Sequence, residues 1–301
     1  MQDCLSQIEA QDDDPLDKTL VHCVKIQLIA DKAMKAASHD VNVDPYDSLR
    51  PPPSLFAQEM LTQLGTLKST MVDASSQDGR SIAAVIPSSI NTNATIIVAT
   101  VQLQLHAAEI SINELALYGD PTAVRQPNIH RTRHLYACTQ AIRSWCDTFL
   151  AIPIPDINGM CTSNMMQMRL VMGLLYVLPN IDEPGWTKAD ASSIIDLYTM
   201  LDQLANNFAQ VPAAIDFRGD IDTAGYDDHW WTHVANTVRT LRSLWSGQDE
   251  RGSLAMGEAC SAGAGTGGAA TAGDAINVEG MDFDIPGLDW LMDPAMMGCT
   301  V

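Results

Sequence analysis

Residues 94–119 read ATIIVATVQLQLHAAEISINELALYG, and this stretch decides whether the chain is all-helical or mixed. Its opening Ile96-Ile97-Val98 is β-branched and could begin a strand. Yet Val98, Val101, Leu105, Ala108, Ile112 and Leu115 recur at helical spacing, and Gly119 follows where a helix would stop. Sustained spacing outweighs three β-branched residues, so a helix is predicted over 94–118. With this segment helical, no alternating pattern elsewhere argues for a sheet. The fold class is all-α, a helical bundle of about seven helices.

Toward the N-terminus, a helix is predicted from Leu16 to Ala37, with Leu16, Leu20, Val24 and Leu28 at i, i+4 steps. Asp14 suits its N-cap and Pro15 its first turn. Pro51-Pro52-Pro53 breaks the chain, and Ser54 then caps a helix carrying Leu61, Leu64, Leu67 and Met71. Residues 73–92 are rich in Ser, Asn and Asp and read as a long loop. Toward the C-terminus, Leu135, Cys138, Ile142, Trp145, Cys146 and Phe149 form one stripe that Pro153 ends. The helix from Asn164 to Leu178 is apolar nearly all round and should be central. A sixth helix begins at Asp190 and carries Ile194, Leu197, Tyr198, Leu201, Leu204 and Phe208. A seventh follows Asp227-Asp228 and carries Trp230, Val234, Leu241, Leu244 and Trp245.

The chain has 301 residues, 46% of them apolar, with mean hydropathy −0.01, which is ample material for a core. Its 37 acids against 17 bases give a net charge of −20. That balance argues against gripping nucleic acid or an anionic membrane over a broad face. No apolar run approaches the ~18 residues of a membrane span. The opening MQDCLSQIEAQDDD lacks the basic-then-apolar pattern of a signal peptide, so an intracellular protein is expected. Seven cysteines (Cys4, Cys23, Cys138, Cys146, Cys161, Cys260, Cys299) include no C-x-x-C pair, and they read as reduced thiols. They offer no paired spacing for structural zinc.

Charge and composition change near the C-terminus. Residues 252–301 hold seven acids and no Lys or Arg, and Gly252 to Gly273 is mostly Gly, Ala, Ser and Thr. Such a stretch buries too little apolar surface to offset chain entropy. The expected organisation is therefore a disordered N-terminus (1–15), an all-helical regulatory domain (16–250), a flexible Gly/Ala-rich linker (251–280) and an acidic-hydrophobic segment (281–301). The boundary is placed near Gly247 to Gly252.

Several short patterns bear on chemistry. Asp13-Asp14-x-x-Asp17 matches D-D-x-x-D, with which all-α isoprenoid enzymes hold Mg²⁺ and a diphosphate. That chemistry needs a second acidic motif on a facing helix, and none is visible; Asp14 before Pro15 is also an ordinary helix start. His229 and His233 share a helix face, but Trp230 occupies the glutamate position of H-E-x-x-H and no third ligand is evident. Asp227 and Asp228 fit a helix N-terminus. Asp222-Thr-Ala-Gly225 is faintly similar to an aspartic protease loop, without the β-rich fold that site requires. The glycines Gly263, Gly265, Gly267 and Gly268 follow no strand and read as linker. Arg125, Arg131, Arg133 and Arg143, with His130 and His134, form a basic cluster free of acids; a solvated helix start is the plainer reading, an acidic-partner site the alternative.

Three stretches together resemble the C-terminal regulatory half of fungal binuclear zinc-cluster transcription factors: LQLHAAEISINELALYG (103–119), ACTQAIRSWCDTFLAIP (137–153) and QMRLVMGLLYVLPNIDEPGW (167–186), the last with its Pro-Gly-Trp turn. The tail MDFDIPGLDWLMD (281–293) fits the same pattern. The resemblance covers residues 16–300. It implies a nuclear regulator of transcription, often of a metabolic or secondary-metabolite gene cluster. The family's six-cysteine DNA-binding cluster has no counterpart in this sequence, so the chain is either a truncated form or acts without its own DNA-binding domain. No catalytic, cofactor-binding or metal residue is carried over.

The tail can be read on its own. Phe283, Ile285, Leu288, Trp290, Leu291 and Met292 alternate with Asp282, Asp284, Asp289 and Asp293. This is the composition of activation segments, whose acids keep apolar anchors solvated until a partner groove takes them. The expected partners are transcriptional coactivator machinery, together with self-association or a DNA-binding partner protein. No specific DNA contact and no membrane are expected. The leading reading is a non-enzymatic transcription regulator without a cofactor. The alternatives are an Mg²⁺-dependent enzyme using Asp13, Asp14 and Asp17, and a non-activating interaction scaffold. Docking of Trp290 back onto the helical domain competes with a free activation segment.

Overall fold

The computed structural model describes residues 5, 7–8, 15–38, 53–77, 91–115, 129–181, 183–215 and 230–262. Among them the structure is helical, with a single isolated bridge between Glu183 and Trp186 and no strand. Seven long helices carry the fold: α1 (Pro15–Ser38), α2 (Pro53–Gln77), α3 (Asn91–Leu115), α4 (Ile129–Leu150), α6 (Thr162–Val177), α8 (Leu197–Ala214) and α9 (Trp230–Ala262). Two short ones, α5 (Ile154–Ile157) and α7 (Lys188–Ile194), and a 3₁₀ turn at Leu178–Asn180 connect them.

The segment that decides the class is helical, as its spacing predicts. Val101, Leu105, Ala108 and Ile112 pack with α1 and α2 in one cluster. Ala99, Leu103, Ala107 and Ile110, on the other side of the same helix, belong to a second and larger cluster. α3 is thus a wall shared by two cores.

The larger core is built on α4, whose stripe Leu135, Cys138, Ile142, Trp145, Cys146 and Phe149 is fully buried. Rings continue it across the bundle. Trp145 stacks on Phe149 (5.2 Å), Phe149 meets Phe208 of α8 edge-on (5.8 Å), and Phe208 stacks on Trp231 of α9 (5.4 Å). Such pairs each contribute ~0.5–1.5 kcal/mol beyond simple burial. Two of these indoles find partners: Trp145 Nε1 donates to Gln167 Oε1 (3.4 Å) and Trp231 Nε1 to Asn158 Oδ1 (2.9 Å). α6 is central as expected, with Val171 to Leu175 buried in succession.

Several expectations need correction. On α1 the buried face is Ile26, Ile29, Ala30 and Ala33, whereas Leu20 is 53% exposed and Val24 and Leu28 are half-buried. An i, i+4 row drifts about 40° around the helix per step, so four leucine-sized residues on it do not mark one face. α2 begins at Pro53, which places Ser54 inside the helix. It also runs to Gln77, and α3 starts at Asn91, so both reach into the expected 73–92 loop. The sixth helix is two. Thr187 caps α7 through a reciprocal pair with Asp190, the Thr187 amide donating to Asp190 (2.9 Å) and the Asp190 amide to Thr187 (3.2 Å). Ile195 then turns extended (φ −148°), and Asp196 caps α8 by accepting from the Tyr198 amide (3.0 Å). On α9, Trp230 packs half-buried against the core and its neighbour Trp231 is buried in it, whereas Leu244 is exposed. α9 passes Gly247–Gly252, the expected domain boundary, and continues to Ala262. Residues 263–301 lie outside the described residues.

The four described cysteines with side chains in view, Cys23, Cys138, Cys146 and Cys161, are free thiols. Burial pushes the Cys138 and Cys146 thiols up, and nearby Glu114 and Asp147 add to it. Both act as small core hydrophobes.

The corrected α1 face has a direct test. Ile26→Ala should cost about 2–4 kcal/mol in denaturant unfolding, as a cavity among Ala33, Leu64 and their neighbours. Leu20→Ala should change stability by no more than about 0.5 kcal/mol. The reverse order would put the leucine row back in the core.

Candidate functional site

Two constellations on the helical body stand out, both anchored on α4. The first joins the start of α4 to the Pro-Gly-Trp turn. Pro184 and Gly185 occupy the middle of a tight turn closed by the Trp186 amide donating to the Glu183 carbonyl (3.0 Å). Gly185 has φ +86°, the left-handed value that a Pro-Gly turn of this kind assigns to its third residue. The turn delivers two side chains inward. Trp186 is buried, its Nε1 donating to the Leu178 carbonyl (2.8 Å), with Tyr136 of α4 edge-on at 4.8 Å. Glu183 is also buried and pairs with Arg131 (3.3 Å). Thr132 Oγ1 completes the junction by donating to the Pro184 carbonyl (3.2 Å).

Beside this junction lies a cleft of about 50 Å³, bordered by Thr139, Tyr176, Leu178, Lys188, Asp196 and Tyr198. It is smaller than the ~150 Å³ that holds a benzene ring, and so has room for water but not for a metabolite.

The second constellation is a polar stripe on α3. His106 Nδ1 donates to Glu109 Oε2 (3.1 Å), and Lys68 of α2 pairs with Glu109 Oε1 (3.5 Å). Asn113 is buried. Its Nδ2 donates to the Glu109 carbonyl (2.7 Å), and its Oδ1 accepts from His134 Nδ1 of α4 (2.9 Å). These contacts require Nδ1–H on both histidines. Burial raises the Glu109 carboxyl, but the His106 hydrogen bond and the Lys68 charge outweigh it and hold Glu109 below the usual range. His134 is lowered by burial first, then by the charges of Arg133 and His130. The network fastens α2 and α4 to the polar edge of α3.

The residues singled out by sequence fall unevenly on this framework. Phe283, Ile285, Leu288, Trp290, Leu291 and Met292 lie outside the described residues, as do Asp13, Asp14, Asp222–Gly225, Asp227, Asp228, His229 and the Gly263–Gly268 run. Asp17 stands in the first turn of α1, where an acid favours the helix dipole. His233 is exposed on α9. Among the described residues no three His, Cys, Asp or Glu side chains gather as a metal site. The basic cluster is dispersed. Arg131 takes Glu183, Arg143 donates to the Ile194 carbonyl (2.9 Å) at the end of α7, and Arg133 is exposed. Arg125 lies outside the described residues. The Arg131–Glu183 and His134–Asn113 pairs were not foreseen, because each joins residues far apart in sequence.

Comparison with known proteins bears on this framework. The chain is similar to "Transcription factor opdL" of Penicillium oxalicum (strain 114-2 / CGMCC 5302), with 25% identity over 246 residues, which are 82% of this chain and 39% of that protein. It thus spans about two fifths of the length of the relative it matches. The family ATEG07667_C, described as a C-terminal domain, matches residues 154–293, from α5 through the acidic segment. No solved structure matches.

The lowered His134 makes stability pH-dependent. Its folded value lies below the unfolded one, so its contribution is intact above about pH 6.5 and declines as pH falls from there through the folded value. Glu109 adds a second loss at lower pH, beginning near the ordinary carboxylate range. Melting temperature should therefore drop as pH falls below about 6.5, and His134→Gln should flatten that slope. Identical slopes in the two proteins would show that His134 does not carry it.

Proposed function

We propose that the chain is a non-enzymatic regulator of transcription, in which the helical body makes regulatory contacts and residues 281–301 form an acidic activation segment that recruits coactivator machinery in the nucleus. The observation that carries this reading is the similarity to a fungal transcription factor over 82% of the chain. Two features support it. The C-terminal domain match extends through Asp293 and so takes in the acidic segment along with α5–α9. The cleft beside α7 is small, which accords with recognition across the surface. Specific DNA contact would come from a zinc-cluster domain or from a DNA-binding partner. The genes controlled would be those of a metabolic or secondary-metabolite cluster.

A physical argument assigns the energetics within the segment. A coactivator groove gains chiefly from buried aromatic and leucine anchors, each worth ~2 kcal/mol or more when truncated at a hot spot. Single exposed aspartates supply longer-range attraction that salt screens. With residues 274–301 fused to a neutral DNA-binding domain on a reporter, Trp290→Ala should therefore lower activation more than Asp289→Asn. A silent fusion beside an activating 1–250 fragment would remove the segment from this role and leave a scaffold.

The body itself should not read DNA sequence. In a gel-shift titration at physiological salt, the purified chain should give at most weak, salt-sensitive binding, because its charge of −20 repels phosphate. A salt-resistant, sequence-selective complex would overturn the proposal.

A further inference from the structure

We infer that the first two turns of α4 are a docking surface for this chain's own acidic-aromatic segment, residues 281–293, so that the segment is masked when seated there. Ile129 is 80% exposed, the most of any large hydrophobic side chain described. Arg133 and Tyr136 follow at i+4 and i+7 and are also exposed, so an apolar residue, a guanidinium and a ring share one face. Among the described residues, two carboxylates close to it are already engaged: Glu183 with Arg131, and Asp190 in the cap of α7 and within reach of the Tyr136 hydroxyl.

Charge selects the occupant. In a chain of net −20, residues 125–143 hold four Arg and two His and no acid. Residues 252–301 hold seven acids and no base. The segment 281–293 interleaves Asp282, Asp284, Asp289 and Asp293 with Phe283, Leu288, Trp290 and Leu291, which matches a face of Ile129, Arg133 and Tyr136 in both charge and apolarity. An aromatic ring over Arg133 would add a cation–π contact.

The connection reaches. Trp245 of α9 stacks on Tyr176 (4.7 Å), Leu178 accepts the Trp186 indole, and Trp186 touches Tyr136. This part of α9 therefore lies at the same end of the bundle as the start of α4. From Trp245 to Ala262 the helix advances about 25 Å. The eighteen residues 263–280 can then span at most about 60 Å, which covers the return.

Docking stands apart from the activation reading; only its regulatory consequence rests on that reading. The test uses the full chain, with a photoreactive benzoylphenylalanine replacing Gly287 so that Trp290 stays intact. Irradiation of dilute protein should give intrachain adducts within residues 129–140. Arg133→Glu with Ile129→Asp should lower that yield roughly tenfold, with the helical circular dichroism unchanged because both side chains are exposed. Arg133→Glu combined with Asp289→Lys and Asp293→Lys should restore it. Adducts elsewhere on the chain, adducts formed only between two chains, or a yield indifferent to Arg133 would each overturn the proposal. In a reporter assay of the same variants, Arg133→Glu should raise activation. A reporter that stays silent when Arg133→Glu removes the adduct would sink the activation reading alone, and an unmutated chain that drives the reporter strongly without forming the adduct would sink docking alone.

Discussion

Everything in the described bundle depends on α3 being buried on two sides at once. A helix on a protein surface needs one apolar stripe, but α3 needs two, and the polar strip between them must also find partners. Val101, Leu105, Ala108 and Ile112 serve the small core with α1 and α2, while Leu103, Ala107 and Ile110 serve the large one. His106, Glu109 and Asn113 occupy what remains and are tied to Lys68 and His134. α1 and α2 thus join the larger core through α3, and a loss on either face of that helix is felt by both cores.

The turn at 183–186 does a comparable job on another side of the start of α4. It is irregular backbone lying against buried surface, and each inward polar group on it has a partner: the indole on Leu178, the carboxylate on Arg131, the Pro184 carbonyl on Thr132. With Arg131 and Thr132 turned toward the body in this way, Ile129, Arg133 and Tyr136 are left facing outward. The exposed face of α4 is therefore a by-product of how its inner face is held.

Periodicity made much of the fold legible. The α4 stripe was read residue for residue, and the spacing in 98–112 correctly overrode three β-branched residues. The errors share a cause, which is that large apolar side chains were counted as if they alone marked a core. α1 buries Ala30 and Ala33, small residues that let helices approach closely, and leaves Leu20 outside. The adjacent tryptophans at 230 and 231 both touch the core, and the phase set by Val234, Val238 and Leu241 makes the second the more deeply buried. The composition from Gly252 onward suggests a boundary near Gly247 to Gly252, yet Arg251, Leu254, Ala255, Met256 and Glu258 are good helix formers and the helix continues. The pairs at Glu183 and Asn113 had no local signal to find. The acidic segment is read from composition alone and lies outside the described residues.

The length of α9 has a consequence for how the C-terminal segment is delivered. An unbroken helix from Trp230 to Ala262 turns 100° and rises 1.5 Å with every residue, so the direction in which the chain leaves it is a matter of phase as well as distance. Inserting one residue after Trp245 would swing the departure point by more than a quarter turn while lengthening the arm hardly at all. Inserting seven would nearly restore the bearing and move it about 10 Å outward. Natural relatives that differ in length here would be constrained in steps of whole turns if the bearing matters, and free to drift by single residues if it does not.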